Sequence, residues 1–309
     1  MGMERTRMRW GLAVIPAILG LAVPATQARA AENDPAAFVA IDHPGAGTGM
    51  NQGTFVQGPN NRTVVGYYVD TGGRTFGWRY DEGRFTDIND PLADSSVGGT
   101  QPISLSDNGR EVVGAYADAT GLFHGFTLRG GQYTTLDVPF AGASGTFAQG
   151  VDNAGLVSGG YLDSSFNFHG FTLWHGRYTA VNYPAPTATG TALVSMNNHG
   201  TVAGVWDEGN AMHGFLYRSG KVVAHIDDPN AAGMTFPLCV NDQMTAAGQY
   251  WDSGGTTHGF TWNRGHYTTV DDPAGPTSGL CIADNGNITG TYTDAGGAAH
   301  GFITRANDD

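Results

Sequence analysis

Five histidines occupy one position of a recurring phrase: His124, His169, His213, His258 and His300, each followed by Gly-Phe. Imidazole near neutral pH can pass protons or ligate a metal, so the set raises both acid–base and metal chemistry. Spacing argues against both. The copies fall 42–48 residues apart, counting the degenerate Phe76-Gly77-Trp78 as the first, and equivalent positions in a ring of repeats lie around its circumference. They cannot share one ion, whose ligands stand about 2 Å away. The histidines are therefore expected to be structural, each bonding a neighbouring turn, with the Asp of a recurring Gly-x-Tyr-x-Asp as partner.

Chemistry is then expected where the copies differ. The loops after Asp-x-Pro and after Tyr-x-Asp are expected on one face, which collects Asp42, His43, Asp90, Asp207, Glu208, Asp228 and Asp272. His43, Asp207 and Glu208 are the catalytic candidates; Trp206, Asp228 and Asp272 are the ligand-binding ones. Trp206-Asp207-Glu208 pairs an aromatic ring with two carboxylates, a combination suited to a sugar face or a hard cation. The plainer alternative is a shortened hairpin with solvated acids. His175, His199 and His266 are expected in or beside turns of the opposite face, and His225 in an outer strand.

Cys239 and Cys281 sit at one beat of successive copies, where Ser104, Gly150 and Ser195 stand elsewhere. Two cysteines in an exported chain favour a disulfide. A bridge needs Cα atoms within about 7 Å, while packed sheets stand about 10 Å apart, so only strands crowding a central axis can form it. The alternative is two small buried thiols. No Gly-rich phosphate loop with lysine, Gly-x-Ser-x-Gly elbow, His-Glu-x-x-His or cysteine zinc spacing is present. No metal site and no cofactor are expected, and Ca2+ binding has no motif to support it.

The elements that must position these residues are short strands. Tyr133–Trp174 shows one unit: a β-rich run closed by Pro139, a loop to Gly145-Thr146, and three more strands separated by polar turns. A proline after Asp/Asn-x stops a strand because it cannot donate to the ladder. Six copies of a four-stranded antiparallel sheet point to an all-β fold, a six-bladed β-propeller. The chain enters with an orphan strand at 38–42 and leaves one strand short, so that strand is expected to pair with the last blade and close the ring. An open solenoid would need capping repeats instead.

The repeat, His-Gly-Phe, then Gly-x-Tyr-Thr-Thr-x-Asp-x-Pro, Gly-Thr and Gly-x-Tyr-x-Asp, resembles that of the bacterial extracellular HAF-family proteins across residues 36–305. The resemblance implies export and a repeat fold; it brings no activity and no catalytic residues. The chain departs from it at Phe76, where His is replaced, and at Gly204-Val205-Trp206-Asp207, where Gly-x-Tyr-x-Asp is shortened.

Arg5, Arg7 and Arg9 precede an apolar run, Gly11–Val23, and Ala28-Arg29-Ala30, the pattern of a Sec-type signal peptide over 1–30. The expected organisation is that leader, a propeller over 31–305, and a tail at 306–309. Hydrophobic residues make up 40 % despite 48 glycines, enough for a core. The formal charge of −13 becomes −16 once four leader arginines and Glu4 are gone. With Lys221 the sole lysine beyond the leader, nucleic acid and anionic membranes are poor partners. The reading is a secreted or periplasmic monomer that binds an extracellular glycan or protein. The alternatives are a glycan lyase or hydrolase on the same scaffold and a structural envelope protein.

Overall fold

The computed structural model describes residues 38–140 and 142–304; the expected leader and tail lie outside the described residues. No helix occurs among them, and the strands follow the repeat. After β1 (Phe38–Ala40) come β2 (Gly53–Pro59), β3 (Thr63–Val69), β4 (Thr75–Asp81) and β5 (Arg84–Ile88). The next set is β6 (Thr100–Leu105), β7 (Glu111–Ala117), β8 (Phe123–Arg129) and β9 (Gln132–Leu136), followed by β10 (Gly145–Val151), β11 (Val157–Leu162), β12 (Phe168–Trp174) and β13 (Arg177–Val181). Then come β14 (Gly190–Met196), β15 (Thr201–Glu208), β16 (Ala211–Arg218) and β17 (Lys221–Ile226). The chain continues through β18 (Thr235–Val240), β19 (Ala246–Trp251), β20 (Thr257–Asn263) and β21 (His266–Thr269) to β22 (Thr277–Ile282), β23 (Ile288–Thr293) and β24 (Ala299–Thr304).

Four sheets are four consecutive antiparallel strands each, β6–β9, β10–β13, β14–β17 and β18–β21. The fifth runs β22-β23-β24-β2-β3-β4-β5, with β1 also on β24. Its halves touch through one parallel bridge, Gly53 to Ala299. β1 pairs antiparallel with β24, Phe38 opposite Thr304 and Ala40 opposite Phe302. The entering strand is three residues long, shorter than the expected 38–42: beyond Ile41, Asp42 turns its carboxylate to His300 and Gly301 and His43 starts a turn.

The His-Gly-Phe phrase acquires a physical meaning in the third strand of each set. Its aromatic, Trp78, Phe126, Phe171, Phe215, Phe260 or Phe302, is buried in the core. Its glycine lets the fourth strand and the next sheet approach: a Cβ on Gly170 would stand 2.6 Å from the Val181 carbonyl and 2.9 Å from Leu193. Consecutive sheets are also latched. The N–H of the residue before each Asp-x-Pro proline donates to a threonine hydroxyl of the following first strand, as from Val138 to Thr146 (3.2 Å) and Asp228 to Thr235 (3.0 Å). Each latch satisfies a backbone donor that the proline-ended strand leaves unpaired.

First strands lie innermost. β2, β6, β10, β14, β18 and β22 all contribute to one axial cavity of about 30 Å³, room for about one water molecule. Cys239 of β18 and Cys281 of β22 are joined there by a disulfide, with Cα atoms 5.1 Å apart. Phe147, Ala192, Val194 and Phe236 of the first strands β10, β14 and β18 pack into one buried cluster with residues of neighbouring strands. Strand alternation gives two faces. One, the hairpin face, carries the turns between first and second and between third and fourth strands. The opposite loop face carries the second-to-third turns and the sheet-to-sheet loops.

Candidate functional site

The five repeat histidines are held by side chains of the loop face, three of them between two carboxylates. Nδ1 of His124, His213, His258 and His300 meets Asp137, Asp227, Asp271 and Asp42 at 2.7–3.0 Å, and that of His169 meets Asn182 at 3.2 Å. Nε2 of His124, His169, His258 and His300 reaches Asp118, Asp163, Asp252 and Asp294. Each imidazole also stacks on the aromatic of the preceding strand, Tyr116, Tyr161, Trp206, Tyr250 or Tyr292. Burial opposes charging of His258 and His300, but their paired carboxylates outweigh it and raise both above the ordinary imidazole value. The Asp partners cap their own turns: Asp118 is lowered to about 2 by the Thr120 hydroxyl, which outweighs its desolvation, with help from backbone N–H groups and His124.

The residues expected to do chemistry on this face do not converge. His43 is 8 % exposed, stacked on Tyr68 at 4.0 Å and met edge-on by Phe85. Its Nδ1 accepts from Gly45 N–H, its Nε2 lies 3.5 Å from Asp87, and burial lowers its pKa against the pull of Asp87. Asp228 and Asp272, expected as ligand-binding residues, are both buried, each accepting from the backbone N–H two residues on. The copy around Trp206 lengthens its strands to eight residues, β15 and β16, and shortens the turn to Gly209-Asn210. Trp206 and Asp207 are buried, with Trp206 stacked flat on Tyr183 at 4.3 Å, while Glu208 is exposed. His43 belongs to the loop entering β2 and Asp207 to β15 of another sheet.

A second polar centre, which sequence reasoning did not single out, lies on the hairpin face at the axial mouth. Turns between first and second strands link side chain to backbone from sheet to sheet. Asn108 N–H donates to Asn153 Oδ1, Asn153 to Asn198, Asn198 to Asp242, Asp242 to Asp284 and Asn285 to Asn61, at 2.7–3.0 Å. Asp107 is an extra residue in its turn: Ser106 closes on Glu111, whereas Asp152 closes on Leu156. That longer spacing is the sequence signal that could have found it. The insertion brings Asp107 together with Asp242 and Asp284, ligand oxygens within 4.8 Å of one another, and Asn198 Nδ2 donates to both Asp107 and Asp242. Burial, then the charges of Asp284 and Asp242, push Asp107 up to about 6 against the Asn198 hydrogen bond. Three carboxylates so placed present the oxygen donors a hard cation takes; among the described residues no other trio of His, Cys, Asp or Glu converges this way.

A few side chains stand outside these networks. Trp174 is 43 % exposed at the β12–β13 hairpin, against His175 at 4.2 Å and close in sequence to Arg177. No protein-family model matches the chain, and no curated protein matches it. Solved structures do. A putative TolB from Agrobacterium tumefaciens aligns with a TM-score of 0.56 at 12 % identity, covering 81 % of this chain and 90 % of that one. AofleA from Arthrobotrys oligospora aligns at 0.53 and 12 %, covering 82 % and 81 %. The fucose-recognising lectin of Aleuria aurantia, a six-bladed β-propeller, aligns at 0.52 and 11 %, covering 82 % and 93 %. At such identities the likeness speaks for architecture alone, and the fold of this chain is a β-propeller.

Proposed function

We propose that the chain is an exported, six-bladed propeller that acts as a monomeric binding module for an extracellular glycan. Six blades are supported by the six first strands around one axis and by the single bridge that joins the halves of the eight-stranded sheet. The observation that carries binding is the exposed Trp174 beside His175 and Arg177, on a scaffold whose repeated polar groups bond one another. An indole face with an adjacent guanidinium stacks on a sugar ring and donates to its oxygens. Similarity in fold to the Aleuria aurantia lectin, which recognises fucose, agrees with this reading. The test is a glycan array probed with the chain from residue 31 onward: selective retention that falls at least tenfold in Trp174→Ala supports it, and an array without retention overturns it.

One observation favours the enzyme alternative. Asp107, raised to about 6 by burial and by Asp284 and Asp242 beside it, has the profile of a carboxyl group tuned toward neutral pH, as a general acid requires. Reducing or unsaturated ends released from a polysaccharide panel, and lost in Asp107→Asn, would establish catalysis; their absence under conditions of retention leaves a binding module.

A further inference from the structure

Cations are scarce in this chain, but the fold does not scatter them. Of the Lys and Arg side chains among the described residues, Arg74 alone lies on the loop face, where it is tied to Asp70. The loop face takes most of the carboxylates. On the hairpin face the charges divide again, by radius. The first-to-second strand turns, next to the axis, hold Asp107, Glu111, Asp152, Asp242 and Asp284 against Arg62 and Arg110. The outer hairpins between third and fourth strands hold Arg84, Arg129, Arg177, Arg218, Lys221 and Arg264, all exposed, and none of these six forms a salt bridge among the described residues. Asp81 and Glu82 are the acids on that rim, and Asp81 already faces Arg79.

We infer that this rim binds an acidic polysaccharide, one whose sugars carry carboxylate or sulfate groups; the inference rests on the glycan-binding reading and names its substrate class. The protein's overall negative charge does not prevent this. Strands of six or seven residues put the acidic loop face about 20 Å behind the hairpins, more than two Debye lengths at physiological ionic strength, where the length is about 8 Å. The axial carboxylates of the hub, Asp107, Asp242 and Asp284, are two strand spacings inward, about 10 Å, again beyond that length; Glu111 alone lies closer, directly across from Arg129. A ligand along the rim therefore meets the guanidinium groups, while the opposed faces orient the disc toward it.

The arrangement selects among polyanions. The cations stand on five hairpins with an acidic hub between them, so a flat anionic bilayer pressed on this face would also press on Asp107, Asp242 and Asp284. Single-stranded nucleic acid calls for a continuous basic groove with stacking platforms for successive bases, and the rim offers one exposed indole. A flexible glycan can follow the hairpins, place its acids on Arg129, Arg177 and Arg264, and lay a ring on Trp174.

The experiment measures retention of the chain from residue 31 onward on immobilised polygalacturonate, heparin and neutral dextran, in low salt and at physiological ionic strength. Preferential, salt-sensitive retention on a polyanionic glycan is expected. It should fall about tenfold or more when Arg129→Gln, Arg177→Gln and Arg264→Gln are combined, and stay unchanged in Arg74→Gln. Thermal melts verify that the triple variant remains folded. Retention unaffected by the triple substitution overturns the inference, as does tighter binding to poly(dT) or to phosphatidylserine vesicles. Binding of neutral glycans alone on the array overturns it while leaving the glycan-binding reading intact; no binding to any glycan removes both.

Discussion

The two faces of the propeller use similar residues in opposite ways. On the loop face, His, Asp and aromatic side chains bond, stack and cap one another in five copies, so groups that look chemical in the sequence are committed to the scaffold. On the outer hairpins of the other face the repeat keeps only its glycines and turn geometry, and the side chains it leaves free differ from hairpin to hairpin. Repetition in this fold marks residues that hold neighbouring sheets together. Variation marks the surface that a ligand can read.

The largest effect bears on both faces at once. Replacing Cys239 and Cys281 together by serine removes the crosslink between β18 and β22 and is expected to lower stability by about 4 kcal/mol for a 42-residue loop, read as a shift in the urea midpoint at constant slope. A loss confined to one face, seen as hydrogen exchange rising in only one set of turns, would break the idea that the ring binds the faces into one unit.

The next contrast sets one face against the other. Asp271→Ala deprives His258 and Gly259 N–H of their acceptor and should cost about 2 kcal/mol, whereas Arg177→Ala on the rim should stay within about 0.5 kcal/mol. Equal costs would erase the division between committed and free residues. At the hub the sign reverses. An acid whose folded pKa is raised loses stability as pH climbs from its unfolded value, about 3.9, to about 6. Asp107→Asn is therefore expected to gain about 1 kcal/mol at pH 7, after allowance for solvent screening, and nothing below pH 4.

The smallest effect lies in the histidine clamps. Because Asp42 and Asp294 raise His300 above its usual value, its contribution is complete below pH 6.5 and is lost as pH rises through the higher folded value. Wild-type melting temperature should fall between pH 6 and pH 8 by the equivalent of about 0.5 kcal/mol more than in His300→Gln. A parallel pH dependence in the two proteins would remove the clamp from the account of the loop face.

Much of the frame was legible in the sequence because it depends on local rules repeated many times. Pro139 and its counterparts end strands, glycines mark turns, and an unpaired run at Phe38 matches the strand missing after Thr304. The small-residue beat at Ser104 and Ser195 placed Cys239 and Cys281 near an axis. Burial at the loop face was less legible, since nothing local distinguishes a solvated Asp228 from one folded back onto Asn230 N–H. His43 reads as a free base until Tyr68 and Phe85, both distant in sequence, close around it. The axial carboxylates were hidden for a similar reason: Asp107, Asp242 and Asp284 come from three repeats and meet only because one turn holds an extra residue. The rim of cations was present in the sequence from the start, but it has meaning only once each hairpin is assigned to a face.

The pairing of β1 with β24 also bears on how the molecule comes to exist. Each interior sheet can form from one short stretch of chain, with contacts close in sequence, while the closing sheet must wait for strands from opposite ends of the described chain to meet. Loop closure over that distance carries an entropic cost before any contact rewards it, and topologies rich in distant pairings fold slowly. Until it happens, both β24 and the first sheet present unpaired edges, the surfaces through which strands of separate chains join. A nascent ring is thus a linear array with adhesive ends, and whatever environment it folds in must keep those ends apart until they find each other.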